Sequence, residues 1–340
     1  MASVDETVYK LKEFGILNEG ASEARYDAKT QTLDDLKENL KMKIIEIDKE
    51  KYEMEFDIIG IGAPIANAIR RILIAEIPTM AIDKIHMFNN TAVIPDEVLT
   101  HRIGMVPIKV DPRLFEYKDS TEDPEKGTEE DTIQFELKVK CSRKPNIPKD
   151  SSVPDDKAFN HAKVYSRDLK FVPINDNQKK MYGNIRPVHE DILLAVMKPG
   201  HEIDLKAFCY KNVGREHAKF SPVVVASYRL LPRLKLLEEI SGERAHLLSS
   251  CFSPGVIRIS HKKGKEVAKV ADSRKINCSR NVLLHDELSD AVEISKVKDH
   301  YIFTVESAGA LQPEVLVQDA INILKSKCRN FLSEIKSLKM

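Results

Sequence analysis

Apolar and polar residues alternate along "KMKIIEIDKEKYEMEFDIIGIG", residues 41–62. A period of two on either side of the polar "DKEK" predicts a β-hairpin, with strands near 42–48 and 52–58. The period then changes. Ile65, Ala68, Ile69, Ile72 and Leu73 recur at helical spacing, and Pro78 closes a helix predicted over 64–77. "TMAIDKIHMFNN" reads as a strand, and further strands are expected near 132–140 and 162–174. Between these two lies "CSRKPNIPKDSSVPDD", a loop rich in Pro, Ser and Asp. "PVVVASYRLLPRLKLL" is an apolar run broken by Pro232. "GVIRISHKKGKEVAKVADSRK" reads as a hairpin with a basic surface, and "HYIFTVESAG" as a strand. Residues 1–40 are polar and weakly periodic, and read as an extended or partly ordered tail.

The strongest pattern closes the chain. In "QPEVLVQDAINILKSKCRNFLSEIKSLKM", Val317, Ile321, Leu324, Cys328, Phe331, Ile335 and Leu338 step alternately by four and three. Pro313 suits a first helical position, and acids open the helix while lysines close it. About 26 residues make a rod of about 39 Å. A seam of this regularity suits a partner helix. Its burial is worth on the order of 10 kcal/mol gross. The same helix can also cap its own sheet, because Ala320, Ile323 and Leu332 occupy its other faces.

Steps of about 100° around the first helix place Ile65, Ala68, Ile69, Ile72 and Leu73 on one face, with Glu76 near its end. Asn67, Arg71 and Ile74 form a second stripe opposite, and Arg70 sits on the border.

Lys plus Arg equals Asp plus Glu, 53 each, so the chain is formally neutral. That argues against a free-standing nucleic-acid binder. No apolar run approaches the roughly 18 residues of a membrane helix, and "MASVDETVYKLKEF" lacks the apolar core of a signal peptide. A soluble intracellular protein of about two domains is expected. Residues 118–131 carry seven acids and two lysines and read as a solvated loop.

Candidate chemistry is sparse. Cys141, Cys209, Cys251, Cys278 and Cys328 lie too far apart for a zinc module and read as reduced thiols. "GIGAP" lacks the rest of a phosphate-loop signature. "DEVLTHRIGMVPI", residues 96–108, gathers two acids, a histidine and an arginine. Asp96 and Glu97 open a short helix and His101 and Arg102 close it, as the helix dipole alone would arrange them. A metal-dependent hydrolase using His189, Glu190 and His201 is the rival from another class, and a self-standing homodimeric scaffold is a third. No catalytic residue, metal or cofactor is expected.

"IANAIRRILIAEIPTMAIDKIHMFNNTAVIPDEVLTHRIGMVPI" resembles the α-like subunits of DNA-directed RNA polymerase, and "DPRLFEY", "HAKFSPVVVASYRLLP" and "DHYIFTVESAGALQPEVLVQDAI" extend the likeness. Over about 40–340 it resembles the larger α-like subunit shared by eukaryotic polymerases I and III. The resemblance implies an α+β fold. A dimerisation domain, a β-sheet packed with helices, is discontinuous over 41–80 and 228–340. A mostly β domain is inserted at 81–227, and a tail covers 1–40. It implies a non-catalytic assembly platform that pairs with a small α-like subunit and supports ribosomal, 5S and transfer RNA transcription. Ile65, Ile69, Ile72, Leu73, Val317, Ile321, Leu324, Cys328, Phe331 and Ile335 would form the dimer seam. Asn67, Arg70, Arg71 and Ile74 would face the second-largest polymerase subunit. Other polymerase I and III subunits would be partners, DNA would be met only through the complex, and no membrane is involved. A nuclear and nucleolar location after cytoplasmic assembly is implied. The polymerase II paralogue is the near alternative; the resemblance implies that it carries a zinc-binding cysteine cluster in the inserted domain, where this chain has only Cys141 and Cys209.

Overall fold

The computed structural model describes residues 7–17, 33–118, 126–145, 158–262, 264–277 and 279–338. The fold is α+β, and it divides into two compact units. The first comprises Met1–Glu46, Glu55–Asn67 and Ser227–Thr304; the second comprises Ile47–Met54, Ala68–Ala226 and Val305–Met340.

A six-stranded sheet organises the first unit. Its order is Ile16–Leu17, Val8–Leu11, Val292–Ser307, Glu53–Ile59, Lys41–Asp48, with Val223–Leu236 also joined to Val292–Ser307. The alternation in "EMEFDII" buries Met54, Phe56 and Ile58, and the Phe56 ring stacks on Phe303 with centroids 5.1 Å apart. The hairpin read around "DKEK" forms. Asp48 Oδ1 accepts the backbone N–H groups of Glu50 and Lys51, both at 3.0 Å. Helix Ala63–Ala75 follows. The glycine before it serves the turn: Gly60 has φ +82°, and a Cβ there would lie 2.3 Å from the Asn39 carbonyl oxygen.

Three expectations need correction. Pro232 does not break its run, because strand Val223–Leu236 passes through it. This strand pairs with Val292–Ser307 off the sheet's main order, and a strand accommodates a proline at a position whose N–H is not needed for pairing. Residues 8–17 are not a tail: Val8 is fully buried and pairs with Val297. "VYKL" does alternate, but over too few residues to stand out from its polar setting. Residues 1–6 and 18–32 of the expected tail lie outside the described residues. The segment 162–174 is two short strands, Lys163–Tyr165 and Lys170–Val172, parted by a 3-10 turn at Ser166–Asp168. Asp168 accepts the Tyr165 N–H at 2.8 Å and holds that turn.

One ionic cluster fastens the first unit. Arg274 donates Nη2 to Asp57 Oδ1 at 2.6 Å, Nη1 to Asp57 Oδ2 at 3.0 Å and Nε to Glu55 Oε1 at 2.7 Å. His300 Nε2 lies 3.0 Å from Asp57 Oδ2. Burial pushes the Asp57 carboxyl up, but hydrogen bonds from Arg274 and His300 outweigh it and hold it below the usual range.

In the second unit a four-stranded sheet runs Lys170–Val172, Ile133–Lys140, Glu202–Val213, Pro78–Asn90. Strand Ile133–Lys140 keeps the period its sequence shows. Ile133, Phe135, Leu137 and Val139 are buried, while Lys138 and Lys140 pair with Asp204 and Glu202 at 2.7 and 3.3 Å. Leu99 and Ile103 of helix Asp96–Gly104 are fully buried in the same core. The acidic stretch is less free than its charge suggests. Residues 119–125 lie outside the described residues, but Asp131 accepts from Thr128 Oγ1 at 2.7 Å. Buried Gln178 donates to the carbonyls of Glu129 and Thr132.

Candidate assembly interface

Helix Pro313–Leu338 spans 26 residues, as the stepped stripe predicts. Only Pro313, Leu316, Val317 and Ala320 are buried. From Ile321 onward the stripe is at most partly covered by the described residues. Ile321 is 42% exposed and Phe331 65%; Leu324 and Ile335 are half-buried, and Cys328 is exposed. Leu332 and Leu338 are exposed as well. The 18 positions from 321 to 338 carry this apolar stripe along about 27 Å of helix. An exposed apolar stripe of this length is unusual for a solvent face. Nearer the helix start, burial pushes the Asp319 carboxyl up, and the Arg113 guanidinium opposes it.

Helix Ala63–Ala75 behaves differently. Ile69, Ile72 and Leu73 are buried at 6%, 2% and 0% exposure within the chain itself. The stripe read as a seam is thus occupied by this protein's own core, and a partner has almost no further area to cover there. Val317 is placed the same way. Of the four helix residues expected at the seam, Ile65 alone is exposed. On the opposite stripe Arg71 is exposed, while Asn67, Arg70 and Ile74 are half-buried. The helix end is fixed by close approach. Arg215 N–H donates to the Ala75 carbonyl at 2.9 Å, and a Cβ on Gly214 would lie 2.2 Å from the Ile74 carbonyl oxygen. Glu76, just beyond the helix, pairs with Lys327 of the C-terminal helix.

Residues 55–328 match the profile of the RNA polymerase Rpb3/Rpb11 dimerisation domain. The chain belongs to the Rpb3/Rpb11 family. A mouse relative named DNA-directed RNA polymerases I and III subunit RPAC1 is 52% identical over 304 residues, covering 89% of this chain and 86% of its own length. The human protein of that name is 47% identical over 336 residues, covering 97% and 95%. A Dictyostelium discoideum protein named DNA-directed RNA polymerase II subunit rpb3 is 29% identical over 308 residues, covering 88% and 95%.

For an Rpb3/Rpb11 family member, one exposed strand face was not legible in the sequence. Strand Lys41–Asp48 ends the six-stranded order, and Met42 and Ile44 point from one face at 46% and 55% exposure. The alternation that predicts the strand also puts these two on one side, but it cannot say whether the chain itself covers that side.

The other candidate chemistry is accounted for locally. In "DEVLTHRIGMVPI", Arg102 donates to the carbonyls of Leu193 and Leu194, and Asp96 accepts from Asn90 Nδ2 at 2.7 Å. Glu190 pairs with Arg186 at 3.0 Å, and His201 Nδ1 accepts the Lys198 N–H at 3.3 Å. Among the described residues no three His, Cys, Asp or Glu side chains are grouped to hold a metal ion, and no helix is long and apolar enough to cross a membrane. Cys141 and Cys209 both sit in the second unit's core, where burial pushes the Cys209 thiol up.

Proposed function

We propose that this chain is the larger α-like subunit shared by RNA polymerases I and III, a non-catalytic platform for polymerase assembly. It pairs with a small α-like subunit, and the pair then receives the second-largest subunit and the remaining polymerase I and III subunits. Bond formation in RNA belongs to the large subunits, DNA is met only through the complex, and the products are ribosomal, 5S and transfer RNA. The protein acts in the nucleus, with a nucleolar share from polymerase I, after assembly in the cytoplasm.

The observation that carries this reading is the apolar stripe from Ile321 to Leu338, largely exposed among the described residues of a chain whose relatives bear a polymerase subunit's name. Ile321, Leu324, Cys328, Phe331 and Ile335 form the seam; Ile65 is a separate exposed candidate. Arg71, with Asn67, Arg70 and Ile74, faces the second-largest subunit, where an arginine fork can grip carboxylates or carbonyls. The dimerisation domain is drawn from 41–80 and 228–340, with 81–227 inserted. The polymerase II reading has less support. The relative named for polymerase II is at 29% identity, and the cysteines at 141 and 209 are core side chains.

Light scattering on the chain alone and with the small α-like subunit of the same organism tests the pairing. A one-to-one complex is expected. A stable homodimer that ignores the small subunit would overturn it. Affinity capture of the tagged chain from cells should bring down the large subunits of polymerases I and III; recovery of polymerase II instead would favour the paralogue.

A further inference from the structure

The first unit carries a cationic cleft that the assembly reading leaves unused. Its volume is about 400 Å³. Arg229, Lys275 and Lys296 form its rim, and Leu230, Pro232 and Ile276 its apolar floor. The arginine is held in place. Its Nη2 donates to the Arg274 carbonyl at 2.9 Å and its Nη1 to the Ile276 carbonyl at 3.4 Å. These partners fix the guanidinium but are neutral, so its charge remains at the rim.

Among the described residues little negative charge opposes the rim. Asp272 reaches Lys275 only at 4.0 Å, and the lysine side chain stays 60% exposed. Glu55 and Asp57 are bound to Arg274. Glu293 is three positions from Lys296 on the same strand, so it points to the opposite face, where Lys10 holds it at 2.6 Å. Lys298 shares the Lys296 face and lies 4.8 Å from the centroid of the Tyr9 ring, adding further positive charge. A concentration of cations in a formally neutral chain is a local feature and not a consequence of composition.

The floor narrows the ligand class. An apolar base under a cationic rim suits a ligand that carries both carboxylates and apolar side chains. A nucleic-acid strand fits less well, because among the described residues no aromatic ring lines the cleft to stack a base. We propose that this cleft docks an acidic peptide segment of a protein partner, with Asp or Glu side chains meeting Lys275, Lys296 and Arg229 and an interleaved apolar side chain seated on Leu230, Pro232 and Ile276.

The probe is a short fluorescent peptide alternating glutamate and leucine, titrated against the full chain by anisotropy. Saturable binding that weakens as salt rises is expected. Lys275→Glu with Lys296→Glu should weaken it at least about tenfold, and replacing the peptide leucines by serine at constant charge should weaken it by about tenfold. Arg229 is left intact because it holds the backbone. Lys275→Gln with Lys296→Gln gives a milder variant should the reversal perturb folding, and circular dichroism melts check both. Undiminished binding by a folded variant would overturn the proposal. So would indifference to the leucines, or equal and competing binding by oligothymidylate, which would assign the cleft to nucleic acid.

Discussion

Truncating Phe331 separates the partner surface from the fold. The ring is 65% exposed in the chain. An aromatic side chain buries roughly 200 Å² when fully covered, so a partner removes about 130 Å² more from water. At about 25 cal/mol per Å² that is about 3 kcal/mol, or about two orders of magnitude in Kd. Phe331→Ala should therefore weaken the complex with the small α-like subunit by about a hundredfold and change the free chain's stability by less than about 0.5 kcal/mol. Val317→Ala, one helical stretch earlier, is the contrast. That side chain is 3% exposed. Its truncation should cost the free chain about 2 kcal/mol, a fall in Tm of about 5 °C, with a smaller direct effect on Kd. Titration calorimetry gives the Kd values, and thermal melts of the free chains give the stabilities. An unchanged Kd for Phe331→Ala, or a melt lowered as far as that of Val317→Ala, would show that the ring belongs to the chain's own core and that the seam is elsewhere.

Arg71→Ala should leave the α-like heterodimer intact and weaken capture of the second-largest subunit by about 2 kcal/mol or more; a two-stage pull-down reads this, and loss at the first stage would place Arg71 in the dimer or the fold. Arg274→Ala leaves Asp57 buried without its main partner and should destabilise the chain by about 3–5 kcal/mol in denaturant melts; a loss under 1 kcal/mol would mean the cluster is solvated. Because the Asp57 carboxyl is held below its usual range in the folded chain, its contribution is complete above about pH 4 and disappears as pH falls through the lowered value. Asp57→Asn should flatten the stability profile in that acid window, and an unaltered profile would refute the linkage. Replacing 119–126 by a Gly-Ser linker should shift Tm by no more than about 2 °C, whereas Asp131→Ala should lower it by several degrees, since Asp131 holds Thr128 and Thr132; equal shifts would sink the distinction.

Sequence pattern reached the elements further than it reached their neighbours. The alternation in "IQFELKVK" and the stepped stripe after Pro313 each state a period and a face, and both elements form where the pattern puts them. Periodicity does not say what covers a face. Ile69, Ile72 and Leu73 repeat as clearly as Leu324 and Phe331, yet the first three lie in the chain's own core. Short elements were lost for a related reason: "VYKL" shows a period only once its partner at 295–297 is known. The Arg274 clamp could not be read at all, because its partners are 217 and 219 positions away and nothing local marks them.

Strand Val8–Leu11, paired between Ile16–Leu17 and Val292–Ser307, also sets an order of events in time. Its bridge from Lys10 to Glu293 closes a separation of 283 residues. A ribosome adding about 5–20 residues per second needs about 15–60 s to make that span. For that interval the first strand waits with an open edge while the strands between Pro78 and Val213, whose partners are nearer in sequence, are free to pair. The first strand therefore finds its partner only shortly before helix Pro313–Leu338 is made. Slow codons, chaperones or the small subunit itself acting at that late stage would have the greatest leverage on yield.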